Sequence, residues 1–269
     1  MQLSECRVVL TGASGGIGQA LVEQLCDGGA TVLAVGRRMA ELQPLSERFG
    51  ERLRLVNADL TSSAGRQMVV EATRRLEGVN VLLNAAGINR FALFEALDET
   101  QIEAMMAVNV TATLQLTRQL LPLLRSQPEA LVANLGSTYG SIGYPGYATY
   151  CASKFALRGF TEALRREYAD TRVRVLYIAP RATRTGMNDS AAMALNAALK
   201  SHVDEPTHVA RAVIRAIGES GNEFYLGWPE KLFVRLNQLL PGLIDRALRK
   251  QLPVVRRFCR HDGVNGESS

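Results

Sequence analysis

The feature that most constrains this chain is an alternation. Short, almost wholly apolar runs recur at 7–10, 31–35, 53–57, 79–84, 130–136 and 173–179, with a weaker one at 222–226. Runs without in-and-out alternation are what strands covered on both faces require. Helical spacing fills the intervals, at about 16–28, 39–49, 63–77, 98–126, 147–171 and 206–219. In the first of these, Ile17, Ala20, Leu21, Val22 and Leu25 form an apolar stripe. Strand–helix repetition predicts an α/β fold, a doubly wound parallel sheet of about seven strands joined by right-handed crossovers. The rhythm stops near residue 226, which divides the chain into a domain at 1–226 and a helical tail at 227–269.

The segment joining the first run to the first helix is Thr11-Gly12-Ala13-Ser14-Gly15-Gly16-Ile17-Gly18. Glycines there let the backbone approach a pyrophosphate, and the helix N-terminus offers free N–H groups and partial positive charge. This placement predicts a dinucleotide site. The second run ends in Val35-Gly36-Arg37-Arg38, where an NAD site usually holds an acidic residue for the ribose hydroxyls. Arginine instead offers a fork of donors suited to a 2′-phosphate, so NADP(H) is expected over NAD(H), with Arg37 the stronger candidate and Arg38 the more readily solvated.

Tyr150 and Lys154 stand four residues apart in the helical pattern at 147–171, hence on one face. A free phenol has a pKa of about 10 and shuttles protons poorly at neutral pH; an adjacent ammonium is expected to lower it. Ser137, thirteen residues before Tyr150, could hold a carbonyl oxygen against the phenol. Any helix can carry a Tyr-x-x-x-Lys by chance, so the pair acquires meaning only from its context.

With these motifs in order, the chain resembles the short-chain dehydrogenase/reductase family, in its short single-domain branch, over about residues 5–220. The resemblance implies a Rossmann-like fold and an oxidoreductase interconverting a carbonyl and an alcohol. It implies that Gly12, Ser14, Gly15, Gly16, Ile17 and Gly18 hold the phosphates, and that Asp59 and Leu60 meet the adenine. Asn84-Ala85-Ala86-Gly87 would steady the sheet and pass behind the adenosine ribose, while Pro180, Thr183 and Thr185 would face the nicotinamide carboxamide. Asn109, Ser137, Tyr150 and Lys154 match the catalytic positions: Tyr150 as proton donor or acceptor, Lys154 lowering its pKa and binding ribose, Ser137 on the substrate oxygen, and Asn109 holding a water that leads to solvent. The bland alternatives are a buried Asn109 bonded to backbone and a Ser137 that caps a strand end. Arg181 departs from the family, which places glycine after this proline; it would alter the turn or set a cation near the cofactor or substrate entrance.

Tyr144 is the candidate substrate contact, and 186–204 corresponds to the family's mobile lid, here rich in alanine and methionine. The tail resembles those of members acting on steroid-like or long-chain ketones, so a lipophilic substrate is expected. The family pairs through helices equivalent to 98–126 and 147–171, which implies a homodimer or tetramer. A catalytically retired NADP-binding sensor or scaffold is the alternative from another functional class.

The formal charge of +5 resides in the tail: 225–260 carries eight Lys and Arg residues against Glu230 and Asp245. The body therefore has no nucleic-acid signature. The tail reads as two basic amphipathic helices, about 229–239 and 242–250, leucines inward and arginines outward, able to lie on an anionic bilayer or to pack on protein. Strand-like sequence begins at Arg7 without a secretory leader, and four scattered cysteines, Cys6, Cys26, Cys151 and Cys259, lack metal-ligand spacing. A cytoplasmic protein is expected, with reduced thiols, no metal, and peripheral membrane contact as an option for the tail. His202, His208 and His261 lie outside the motifs.

Overall fold

In the computed structural model, which describes residues 1–76 and 78–259, each apolar run is a strand. The strands are Arg7–Thr11 (β1), Thr31–Gly36 (β2), Leu53–Asn57 (β3), Val81–Asn84 (β4), Ala130–Leu135 (β5), Val173–Ala179 (β6) and Glu223–Tyr225 (β7). They form one parallel sheet in the order β3-β2-β1-β4-β5-β6-β7. Successive side chains of β1 enter opposite cores: Val8 and Leu10 on one side, Val9 on the other. Gly16–Asp27 (α1), Gln43–Phe49 (α2) and Pro206–Gly218 (α8) cover the first face. Ser63–Arg75 (α3), Ala112–Arg125 (α5) and Ala148–Glu167 (α6) cover the second. β1 pairs with both β2 and β4, so the winding reverses there and opens a crevice at the carboxyl ends of the strands.

A buried polar ladder ties the second face to the sheet. Asn84 Nδ2 donates to Thr117 Oγ1 at 3.1 Å and to Asn134 Oδ1 at 2.8 Å. Asn134 Nδ2 in turn donates to Thr161 Oγ1 at 2.9 Å, linking β4, β5, α5 and α6. Thr11 Oγ1 accepts the N–H groups of both Ala85 and Ala86 at 3.1 Å, which fixes the chain leaving β4 against the end of β1.

Three elements differ from the sequence-based expectation. The pattern at 98–126 is not one helix: Glu99–Met106 (α4) and α5 flank a π-helical turn, Ala107–Thr111. The lid segment contains a helix, Ser190–Ala198 (α7), whose Ala191, Ala192 and Leu195 are buried. The tail forms Trp228–Leu239 (α9) and Pro241–Cys259 (α10), the latter running well past residue 250, while Arg260 and His261 lie outside the described residues. Its leucines do not all face inward. Val234, Ile244 and Val255 are the buried tail anchors, whereas Leu232, Leu239, Leu240 and Leu243 are exposed. Core contact is therefore supplied by fewer, mainly β-branched positions than the amphipathic pattern implies.

Candidate active site

The phosphate loop adopts its shape because two positions cannot carry a side chain. Gly12 has φ +67°, and a Cβ there would sit 2.7 Å from the Ala86 backbone. At Gly18 a Cβ would lie 2.1 Å from the Gly12 carbonyl oxygen, so helix and loop touch directly. Gly15 caps α1 without a side-chain hydrogen bond, leaving the first-turn N–H groups of Gly16, Ile17 and Gly18 to face an incoming anion. Ser14 is buried beside them. Thr185 reaches this loop from the segment after β6: its Cγ2 lies 3.0 Å from where a Gly16 Cβ would be. Glycine cradle, open helix terminus and crevice together fit a pyrophosphate.

Beyond β2 the two arginines separate. Arg38 Nε is 3.1 Å from Glu41 and is taken up by that pair. Arg37 is exposed, in no ion pair among the described residues, and near enough to Asp59 to help hold its carboxyl below the ordinary range. The larger causes of that lowering are the hydrogen bonds Asp59 accepts from the Thr61 amide and hydroxyl, at 2.9 and 2.8 Å. Leu60 is partly buried against the second core.

Ser137, Tyr150 and Lys154 meet at the end of β5. Burial pushes the Tyr150 phenol up to about 12, and the hydrogen bond with the Ser137 hydroxyl pulls the other way. Tyr150 keeps some accessible area, but Tyr139 and Tyr147 crowd its ring at 6.5 and 6.4 Å, so the surroundings remain apolar. Lys154 is buried, and desolvation lowers its pKa to about 8. Its Nζ donates to the Leu135 carbonyl at 3.0 Å and lies 5.7 Å from the Tyr150 ring centroid. The expected lowering of the phenol by the lysine is therefore not present in this state. Burial dominates the phenol, and the ammonium donates to a carbonyl instead.

Asn109 lies fully buried within the π turn. Its Nδ2 donates to the Ile88 carbonyl at 2.9 Å and to Ser153 Oγ at 3.0 Å, and its Oδ1 accepts the Ile88 amide at 2.8 Å. The side chain thus makes the backbone tie that the sequence left open as the bland alternative. It remains beside the lysine, since a Cβ on Gly87 would be 3.3 Å from Asn109 Oδ1 and 3.6 Å from Lys154 Nζ.

Several site residues carry no motif. Tyr177 on β6 is fully buried; its hydroxyl donates to the Ser137 carbonyl at 3.1 Å and receives the Ser137 amide at 3.3 Å, so it positions that serine. Ser153 links Asn109 to the Tyr150 carbonyl, donating at 2.7 Å. Phe91, Tyr139 and Tyr147 form an aromatic wall around Tyr150, joined by Ala192 and Leu195 of the lid and by Val254, Val255 and Phe258 of α10. An apolar spacing inside a basic stretch was the one signal for these tail residues. Tyr144 belongs to the same wall. It stacks on Tyr139 at 5.1 Å and donates its hydroxyl proton to Gln251 Oε1 at 2.7 Å, so that hydroxyl is bonded to the tail. Cys151 is buried and packs, receiving the Tyr144 amide on its sulfur.

Pro180 accepts the Thr138 amide at 3.0 Å and so sits against the serine loop; Thr183, buried, bridges to Asp204 at the base of the lid. Arg181 does not point at the crevice. Its Nε and Nη2 clasp Asp204 at 2.8 and 3.0 Å, and Nη1 lies 3.3 Å from Glu230 of α9. Its φ is not positive, so the turn needs no glycine. Burial raises the Asp204 pKa, and the Arg181 pair more than offsets this, leaving the carboxyl lowered. Arg181→Ala or Arg181→Gly leaves Asp204 buried without its main cation and is expected to cost about 2 kcal/mol, below the ~3–5 kcal/mol of a fully buried pair. Thermal denaturation at neutral pH should show a melting temperature lower by roughly 5 °C. Because the Asp204 pKa is depressed on folding, its contribution is complete above the unfolded value of about 3.9 and disappears as pH falls through the folded one. The deficit should therefore close in acid.

The family described as short chain dehydrogenase matches residues 7–196. The 3-oxoacyl-(acyl-carrier-protein) reductase FabG of Vibrio cholerae is 31% identical over 219 residues, covering 79% of this chain and 90% of the relative. A short chain dehydrogenase from Burkholderia cenocepacia, solved in complex with NADP, superposes with TM-score 0.80 at 28% identity, covering 92% of this chain and 99% of that one. A short chain dehydrogenase/reductase from Burkholderia phymatum, solved in complex with NAD, has the same fold, with TM-score 0.81 at 22% identity over 90% of this chain and 96% of that one.

Proposed function

This chain belongs to the short-chain dehydrogenase/reductase family of oxidoreductases, and we propose that it is an NADP(H)-dependent enzyme interconverting a lipophilic ketone and its alcohol. The observation that carries the chemistry is the convergence of Ser137, Tyr150 and Lys154 at the mouth of the crevice, beside a glycine loop shaped for pyrophosphate. A bound nicotinamide supplies or accepts the hydride. In the reducing direction Tyr150 gives its phenolic proton to the substrate oxygen while Ser137 donates a hydrogen bond to the same atom. Burial pushes the phenol above its ordinary value, which favours the protonated form that reduction needs as its acid. The aromatic wall, the lid methionine Met187, whose Cε lies 3.9 Å from a Gly87 Cβ, and the apolar end of α10 exclude water from that transfer.

Arg37, exposed and unclaimed by an ion pair among the described residues, supports the NADP(H) preference, as does the NADP complex of the Burkholderia cenocepacia protein. The lipophilic substrate is supported by the same wall, and the Vibrio relative is named for a keto group on an acyl chain. We place the enzyme in the cytoplasm as a homodimer. The outer face of α5 and α6 carries a mixed groove of about 320 Å³, in which Leu114, Leu121 and Phe160 stand beside Arg118, Arg125 and Glu167; a monomer in sedimentation velocity would remove this part of the proposal. The deciding experiment is NADPH oxidation over ketones of graded chain length and ring size. Turnover should rise with apolar bulk. NADPH binding without oxidation of any ketone would overturn the assignment.

A further inference from the structure

Between α9 and α8, the latter on the sheet face opposite α6 and its Tyr150, lies a groove of about 500 Å³. Phe224, Trp228 and Leu232 supply its apolar surface; Arg211 and Arg215 of α8 line one side and Lys231 and Arg235 of α9 the other. No Asp or Glu lines it, and none of these four cations is in an ion pair among the described residues. The nearest acid on α9, Glu230, is turned to Arg181. A cationic groove with an aromatic floor calls for an anionic group carrying apolar substance.

The remainder of α9 and its turn into α10 specify the source of that anion. Trp228, Lys231, Leu232, Arg235 and Leu239 fall at i, i+3, i+4, i+7 and i+11, so they share one face of α9. That face ends at the turn into α10, where Leu239, Leu240 and Leu243 are 78%, 52% and 52% exposed. Trp228 itself is 75% exposed. A soluble anion would use the groove and leave the leucine tip unexplained. A second copy meeting this face about a two-fold axis would set one cationic patch against another. No described helix is long and apolar enough to cross a membrane, so any bilayer contact by these helices is peripheral.

We propose that this face docks on an anionic bilayer: the groove receives phospholipid headgroups, and the leucine tip with Trp228 enters the boundary between headgroups and acyl chains. The arginines of α8 thereby join the tail as one surface, which tail composition alone does not indicate. Docking of this kind decides only where the proposed reductase works. Vesicle binding and ketone turnover are separate readings, so either can fail while the other stands.

Trp228 is the only tryptophan of the chain, which makes its fluorescence a direct probe. The full-length protein should partition onto phosphatidylcholine vesicles containing about 30% phosphatidylserine at least roughly tenfold better than onto pure phosphatidylcholine, and about 0.5 M NaCl should release it. Its emission should shift to the blue and be quenched by brominated acyl chains. Arg211→Ala with Arg215→Ala should lower partitioning by more than tenfold, about fivefold per charge. Leu239→Asp with Leu240→Asp should abolish the quenching, with the melting temperature unchanged in each variant. Equal partitioning onto neutral vesicles, binding without quenching, or indifference to the α8 pair would overturn the proposal. So would the same fluorescence change with glycerol phosphate alone, which would mark a free-anion site, or a change of oligomeric state in either variant without vesicles, which would mark an interface between copies.

Discussion

Tyr150→Phe is expected to lower kcat/KM for ketone reduction by about 10³-fold while leaving NADPH affinity within a fewfold of the parent, the range that loss of a positioned general acid spans. The ring stays, so its contacts with Tyr139 and Tyr147 persist, and what is lost is the phenolic hydroxyl with its proton and its hydrogen bond to Ser137. Stopped-flow hydride transfer with fluorescence titration of NADPH separates the two effects; equal losses in both would mean that Tyr150 holds the cofactor and not the proton. A pH profile adds a second reading. With Lys154 at about 8 and Tyr150 at about 12, the lysine is the group that titrates near the working range. It is charged below pH 8 and neutral above, so kcat/KM for NADPH, which reports the free enzyme, should be level below about pH 8 and fall above it. Lys154→Arg keeps the charge throughout and should carry the fall to higher pH, at reduced activity.

Arg37→Asp should reverse the dinucleotide preference, with the ratio of kcat/KM for NADPH over that for NADH falling by about 10²–10³. On the proposed NADP(H) preference, the change would remove a charge-assisted contact to the 2′-phosphate worth roughly 1.5–3 kcal/mol and set a carboxylate against that dianion. The same carboxylate can bond the free ribose hydroxyls of NADH, so the gain on one side adds to the loss on the other. Arg38→Ala, which removes only the ion pair to Glu41 at the surface, should change the ratio by less than threefold. A parent enzyme already faster with NADH would contradict the proposed preference, and a reversal caused by Arg38 would move the contact to the neighbouring residue.

Six strands were plainly legible because a parallel sheet covered on both faces needs nearly continuous apolar runs, and the charges within them, such as Arg54 and Arg174, stand near strand ends; the short, half-buried edge strand β7 gave only the weaker run. The break in the helix around Asn109 was not legible. A π turn changes hydrogen-bond register without altering composition, and here it lets Asn109 reach Ile88 and Ser153 at once. Tyr177 and Ser153 escaped notice for a related reason: each acts on Ser137 or Tyr150 across the sheet or through one backbone carbonyl, a relation with no fixed spacing in sequence.

By itself, the sequence determined the sheet, the loop at Gly12–Gly18, and which hydroxyl and ammonium share a helix face. These are local matters, set by period, backbone freedom and i+4 geometry. Only the tertiary structure decided that burial raises Tyr150 instead of the lysine lowering it, that Arg181 serves Asp204 and Glu230, and that the tail turns Val255 toward the aromatic wall and Leu239 toward solvent. Desolvation and ion pairing depend on every group that surrounds a charge, and those groups come from parts of the chain far apart in number.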